Sequence, residues 1–124
     1  MSDVVLANTK RFTRPGVQFI ESNALMEPLP KADLLIVKDV FQHWSNAEIV
    51  HFLPKLRKFE KALVVTGGGP SGSQLRPDII NADIPTGFFR SVDLTQKPFG
   101  VKGNFIYWYL GYKQEPMFVF LWTR

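Results

Sequence analysis

The chain has no cysteine among its 124 residues. That removes disulfides, thiolate metal ligands and a cysteine nucleophile from consideration. Only two histidines are present, and neither they nor the scattered carboxylates show metal-ligand spacing, so no metal site is expected. No apolar run approaches membrane-spanning length, and the opening MSDVVLANTKRF is too short in apolar residues for a secretory signal. The default expectation is a cytoplasmic protein that does not enter a membrane. The glycine run GGGPSGS after Thr66 lacks the Lys-Ser or Lys-Thr pair of a phosphate-binding loop. We read 67–85 instead as a long irregular connection, an active-site loop or linker.

What remains is an ordinary globular composition, 45% hydrophobic and 21% charged, with a formal net charge of +4. The length suits one domain. Val4, Val5, Ala7 and Phe12 fall on one side of a helix over 3–12, capped by Ser2 or Asp3. Arg14-Pro15-Gly16 ends it. The alternation at 17–21 predicts a short strand, and 33–38 a second strand, apolar enough to be covered on both faces. Ser45 and Glu48 have capping-box spacing, and Ile49, Phe52, Leu53 and Leu56 form the stripe of an amphipathic helix. Pro54 should break that helix near Phe52. A third buried strand is predicted at 62–66. The aromatic runs at 104–110 and 117–122 are close enough to form an antiparallel hairpin.

The densest group of reactive side chains, Lys38, Asp39, Gln42, His43 and Trp44, follows the 33–38 strand directly. Ligands in open α/β sheets bind beyond the carboxyl ends of strands, where these residues would lie. Structural roles for Asp39 and His43, a turn cap and a filled polar corner, fit the spacing equally well.

From Arg14 onward the chain resembles the C-terminal half of a class I S-adenosylmethionine-dependent methyltransferase. RPGVQFIESNALMEPLPKADLLIVKDVFQHWS is similar to that family's third-strand and fourth-strand segments. KALVVTG resembles its fifth strand, and TGFFRSVDLTQKPFG with EPMFVFLW resembles the closing section of a small bacterial subgroup. The resemblance implies an α/β fold: a partial Rossmann-like methyltransferase sheet, mainly parallel, with a C-terminal antiparallel hairpin, forming one truncated domain over 1–124. No G-x-G-x-G loop lies behind a strand, so the first half of the cofactor site is expected to be missing and S-adenosylmethionine binding to be weakened.

Carried over residue by residue, the resemblance places Asn23 and Ala24 near the adenine, and Lys38 and Asp39 at the fourth-strand exit beside the transferred methyl. Phe41, Gln42 and Trp44 fall on the substrate side. Asp39 and His43 are the catalytic candidates, a carboxylate orienting a histidine base. The implied activity is methyl transfer to a small-molecule acceptor, impaired in this chain.

Two alternatives stand beside that reading. One is a non-catalytic oligomeric fragment of a methyltransferase fold. The other is a basic nucleic-acid module using Lys55, Arg57, Lys58 and Lys61, with Tyr107, Trp108 and Tyr109 stacking bases; the aromatics' apparent burial argues against it. Missing strands leave sheet edges unpaired, so we expect a homo-oligomer or a partner chain that supplies those strands.

Overall fold

The structure is a computed structural model, and it describes residues 2–67 and 79–124. Of the glycine run at 67–73, all but Gly67 therefore lies outside the described residues. Helix α1 (Asp3–Phe12) starts where expected, with the Ser2 hydroxyl accepting from the Val5 N–H at 3.3 Å. Two parallel strands follow, β1 (Leu34–Lys38) and β2 (Lys61–Thr66). Between them run a 3₁₀ turn (Phe41–His43), helix α2 (Asn46–Phe52) and a further 3₁₀ segment (Leu53–Lys58). The hairpin β3 (Asn104–Leu110) and β4 (Pro116–Thr123) completes the fold.

Local chemistry explains these boundaries. Ser45 and Glu48 form the capping box: the Glu48 N–H donates to Ser45 Oγ, and the Ser45 N–H to Glu48 Oε2 at 2.9 Å. The α-helix then stops at Phe52 and tightens into 3₁₀ geometry from Leu53. Pro54 has no N–H to extend the α-helical ladder, which accounts for the change.

The sheet order is β1-β2-β4-β3. β1 and β2 pair in parallel, whereas β2–β4 and β3–β4 are antiparallel. The sheet is thus mixed, with one parallel pairing in three, and not mainly parallel. The reason lies at 17–21, where the sequence predicts a strand and none forms. Val17 instead bonds back to the Arg14 carbonyl at 3.0 Å, closing a tight turn. The chain then reaches β1 through local bonds such as Ser22 Oγ to Glu27 Oε2 at 2.5 Å. With no strand beyond it among the described residues, β1 is an edge.

Alternation along the strands gives the sheet two unlike faces. On one, Leu35, Val37, Ala62, Val64, Phe105 and Phe120 meet Phe41, Ile49, Phe52 and Leu56 from the crossover, with Val92 and Leu94 beyond them. This is the core. On the other, Leu34 and Ile36 are 45% and 59% exposed, so β1 is not covered on both sides as its sequence suggests. Tyr107, register-paired with Val119, is also exposed on that side. Gly103 sits where β3 begins, and a Cβ there would lie 2.4 Å from the Phe120 ring and 2.5 Å from the Leu121 carbonyl. Only glycine lets the chain approach so closely.

Candidate functional site

The carboxyl ends of β1 and β2 open onto a cleft of about 620 Å³. β1 delivers Lys38 and Asp39 to it, the following 3₁₀ turn Gln42 and His43, and the end of β2 Gly67. Because β4 runs antiparallel to β2, with Phe118 opposite Thr66, its first residues come to the same end. The hairpin turn therefore closes the cleft with Tyr109, Tyr112, Lys113, Glu115 and Met117.

Asp39 turns the chain sharply out of the sheet. Its N–H still bonds the Val65 carbonyl at 3.0 Å, while its φ of 57° lies in the left-handed region, which Asp tolerates better than most residues. Its carboxylate accepts from Lys38 Nζ, and from Gln42 Nε2 at 3.0 Å. The Lys38 bond, with a smaller contribution from Gln42, holds the Asp39 carboxyl below the usual carboxylate range against the opposing effect of burial. The same bond raises Lys38. Both side chains remain substantially exposed, so the pair is a fixed charge arrangement with little net stabilisation.

His43 is held differently from the expected aspartate–histidine pair. Its Nδ1 lies 2.9 Å from the carbonyl oxygen of Phe88, and Asp39 spends its hydrogen bonds on Lys38 and Gln42. A carbonyl only accepts, so Nδ1 carries the hydrogen. Nε2 is left without a protein partner among the described residues. The Phe89 ring lies 5.9 Å from the imidazole.

The strip that supplies Phe88 is fastened along its length. The Gly87 N–H donates to the His43 carbonyl at 2.8 Å, and the Arg90 N–H to the Gln42 carbonyl at 3.2 Å. The Arg90 side chain, buried, donates from Nη1 to the Phe41 carbonyl at 2.8 Å, from Nη2 to Asn46 Oδ1 at 2.6 Å and from Nε to the Ala82 carbonyl at 3.0 Å. Buried Asn81 closes the base of this loop. Its Nδ2 donates to the carbonyls of Asp93 and Lys97, and its Oδ1 accepts from the Asp93 N–H at 2.8 Å.

Four of the sequence candidates, Lys38, Asp39, Gln42 and His43, thus share one cleft. The others do not line it. Phe41 has 0% exposure and packs in the core with its ring tilted against Trp44 and edge-on to Phe52, at 5.7 and 5.6 Å between ring centroids. A side chain so enclosed offers no surface to a substrate, and Trp44 packs against the same cluster. Asn23 turns inward on its own loop, its Oδ1 accepting from the Leu25 N–H at 3.1 Å. The Ala24 carbonyl accepts from Lys55 Nζ at 2.6 Å, and the Leu25 and Glu27 carbonyls accept from it too.

Lys55 is therefore a loop clamp and not part of a solvated basic face. Tyr107 and Trp108, whose apparent burial weighed against base stacking, are 65% and 58% exposed, because β3 is the other edge of the sheet. Among the described residues no cluster of three or more His, Asp or Glu side chains could hold a metal, and no helix is long and apolar enough to cross a membrane.

Sequence reasoning missed the Phe88 carbonyl, Arg90 and the hairpin turn. One signal was available for Arg90: a lone cation between Phe88-Phe89 and Val92 has to find carbonyl partners if that strip is buried.

The architecture is an α/β domain with a histidine-bearing cleft at the carboxyl end of its parallel strand pair. A sequence model of the O-methyltransferase domain matches residues 1–69, more than half of the chain, and the chain belongs to that family. The match spans Lys38 to His43 and β2, and stops short of Phe88 and the hairpin. No curated protein and no solved structure matches the chain.

That family implies a methyl donor such as S-adenosylmethionine, and the side chains fit such a group in part only. The cleft holds a histidine, an aromatic wall and a fixed carboxylate–lysine pair. Among the described residues no side chain from the expected adenine-binding positions lines the cleft: Asn23 Oδ1 and the Ala24 carbonyl make their bonds within another loop and with Lys55.

Proposed function

We propose that this domain serves methyl transfer to a hydroxyl of a small-molecule acceptor, with His43 as the general base. The observation that carries the reading is the bond from His43 Nδ1 to the Phe88 carbonyl, which leaves Nε2 as the acceptor on a side chain lining the cleft. Nε2 takes the hydroxyl proton as the acceptor oxygen becomes nucleophilic. S-adenosylmethionine, when bound, supplies an activated methyl group, so the protein's share is alignment and proton removal. Lys38 and Asp39 set the charge beside the reacting hydroxyl, and Phe89, Tyr112 and Met117 supply apolar walls for the acceptor.

The direct test is calorimetry with S-adenosylhomocysteine, followed by transfer of a labelled methyl group to a panel of hydroxyl acceptors. Saturable heat and labelled product support the reading. Absence of both at millimolar ligand sinks it for the chain alone.

A second reading, a non-catalytic oligomeric fragment, is supported by Asn23 and Ala24, the expected adenine contacts, not lining the cleft. The exposed Leu34 and Ile36 on an edge strand support self-association, or a partner chain that adds strands there, under either reading.

A further inference from the structure

The strip over 86–90 runs antiparallel to the 3₁₀ turn over 41–43, and Arg90 ties the two together from both its backbone and its side chain. We infer that Arg90 is a positioning residue that locks His43 in its Nδ1–H tautomer, acting through the strip without touching the imidazole. The inference deepens the reading of His43 as the base, but its test reads the imidazole itself.

The physical basis is the cost of leaving a buried cation unsatisfied. Arg90 is 1% exposed. Its guanidinium donates to three oxygens from three separate places: Phe41 at the start of the turn, Asn46 at the start of α2, and Ala82 across the loop. Asn46 is itself held, its Nδ2 donating to the Asn81 carbonyl and its N–H to Asp83 Oδ1, both at 2.9 Å. No slide of the strip keeps all three guanidinium bonds, so the strip has one register. In that register the Phe88 carbonyl meets His43 Nδ1 at 2.9 Å and the Gly87 N–H meets the His43 carbonyl at 2.8 Å.

A free histidine side chain prefers the hydrogen on Nε2. A carbonyl fixed opposite Nδ1 reverses that preference, because the other tautomer would set two lone pairs against each other. Lysine is a poor substitute for Arg90. Its compact ammonium cannot span acceptors that the planar five-donor fork reaches in different directions.

The experiment is long-range ¹H–¹⁵N correlation on the ¹⁵N-labelled full chain, at a pH where both imidazoles are neutral. The sequence contains only His43 and His51, and exposed His51 on α2 serves as the internal control. The expected spectrum shows His43 protonated on Nδ1 and His51 on Nε2. In Arg90→Lys, with the β2 and β4 amide resonances preserved, His43 should shift to the His51 pattern. Should that variant not fold, Asn46→Ala removes one guanidinium acceptor and should move His43 part of the way.

A wild-type His43 protonated on Nε2 overturns the inference, as does a folded variant of either kind whose His43 pattern is unmoved. An Nδ1–H His43 in a chain that transfers no methyl group leaves this inference standing and removes the functional reading. Transfer by a chain whose His43 is Nε2–H overturns this inference and the assignment of Nε2 as the base, and leaves methyl transfer itself standing.

Discussion

The imidazole of His43 and the carbonyl of Phe88 meet at 2.9 Å across 45 residues of sequence. The imidazole in the cleft is thus oriented by backbone from a distant loop, and not by a hydrogen bond to the carboxylate four residues before it. Because the partner is a carbonyl, the bond that orients the ring carries no formal charge, while the Asp39 carboxylate lies within electrostatic reach in the same cleft.

His43→Gln tests the base assignment most directly. His43 contributes no side chain to the core, so the variant should fold and bind acceptor normally. Methyl transfer should fall by roughly 10²–10⁴-fold, the usual range for losing a positioned base. Single-turnover transfer with circular dichroism as the fold control reads both. Undiminished transfer would assign the proton removal elsewhere.

Phe41→Ala separates structure from chemistry. Phe41 is fully enclosed and contacts two aromatic rings, so truncation leaves a cavity costing about 3–5 kcal/mol. For a domain of this size that threatens folding altogether, and thermal melts should show a transition far below that of the wild type.

The capping box carries a pH signature. The Thr86 hydroxyl, and then the Ser45 N–H, hold the Glu48 carboxyl below the usual glutamate range. A folded value below the unfolded one adds stability above the unfolded value, and that stability is lost as pH falls through the folded one. Glu48→Gln should therefore flatten the acid limb of a stability–pH curve and leave the alkaline limb unchanged. Ser45→Ala should cost about 1 kcal/mol near neutrality through the lost cap.

The exposed apolar edge gives an assembly test. Leu34 and Ile36 lie on an edge strand and remain about half exposed. Light scattering across a concentration series should show mass above that of a monomer, and Ile36→Lys should shift it back toward one. A monomer at every concentration would remove self-association from the proposal.

Much of the fold is legible in the residues themselves. The capping box, the break at Pro54, the first helix and the hairpin are each decided by neighbours within a few positions, and the structure shows all four. Lys38 to His43 come together because they follow one strand. The failures are non-local. Whether 17–21 pairs as a strand depends on having a neighbouring strand, and without one Val17 folds back on Arg14. Apolar content alone suggests burial of β1 and β3, but an edge strand keeps part of that content exposed. The Phe88 carbonyl carries no residue signature, since every residue has one.

The mixed sheet also orders events in time. β3 and β4 are separated by a five-residue turn over 111–115, so their ladder closes a short loop and can form early. Joining β2 to β4 closes a loop roughly ten times longer, and the parallel β1–β2 register needs the whole crossover in place. The hairpin is thus the expected nucleus, and the cleft, which draws on β1, the turn after it, the 86–90 strip and the hairpin, is the last feature to mature. Refolding should restore hairpin amide protection before His43 reaches its native environment.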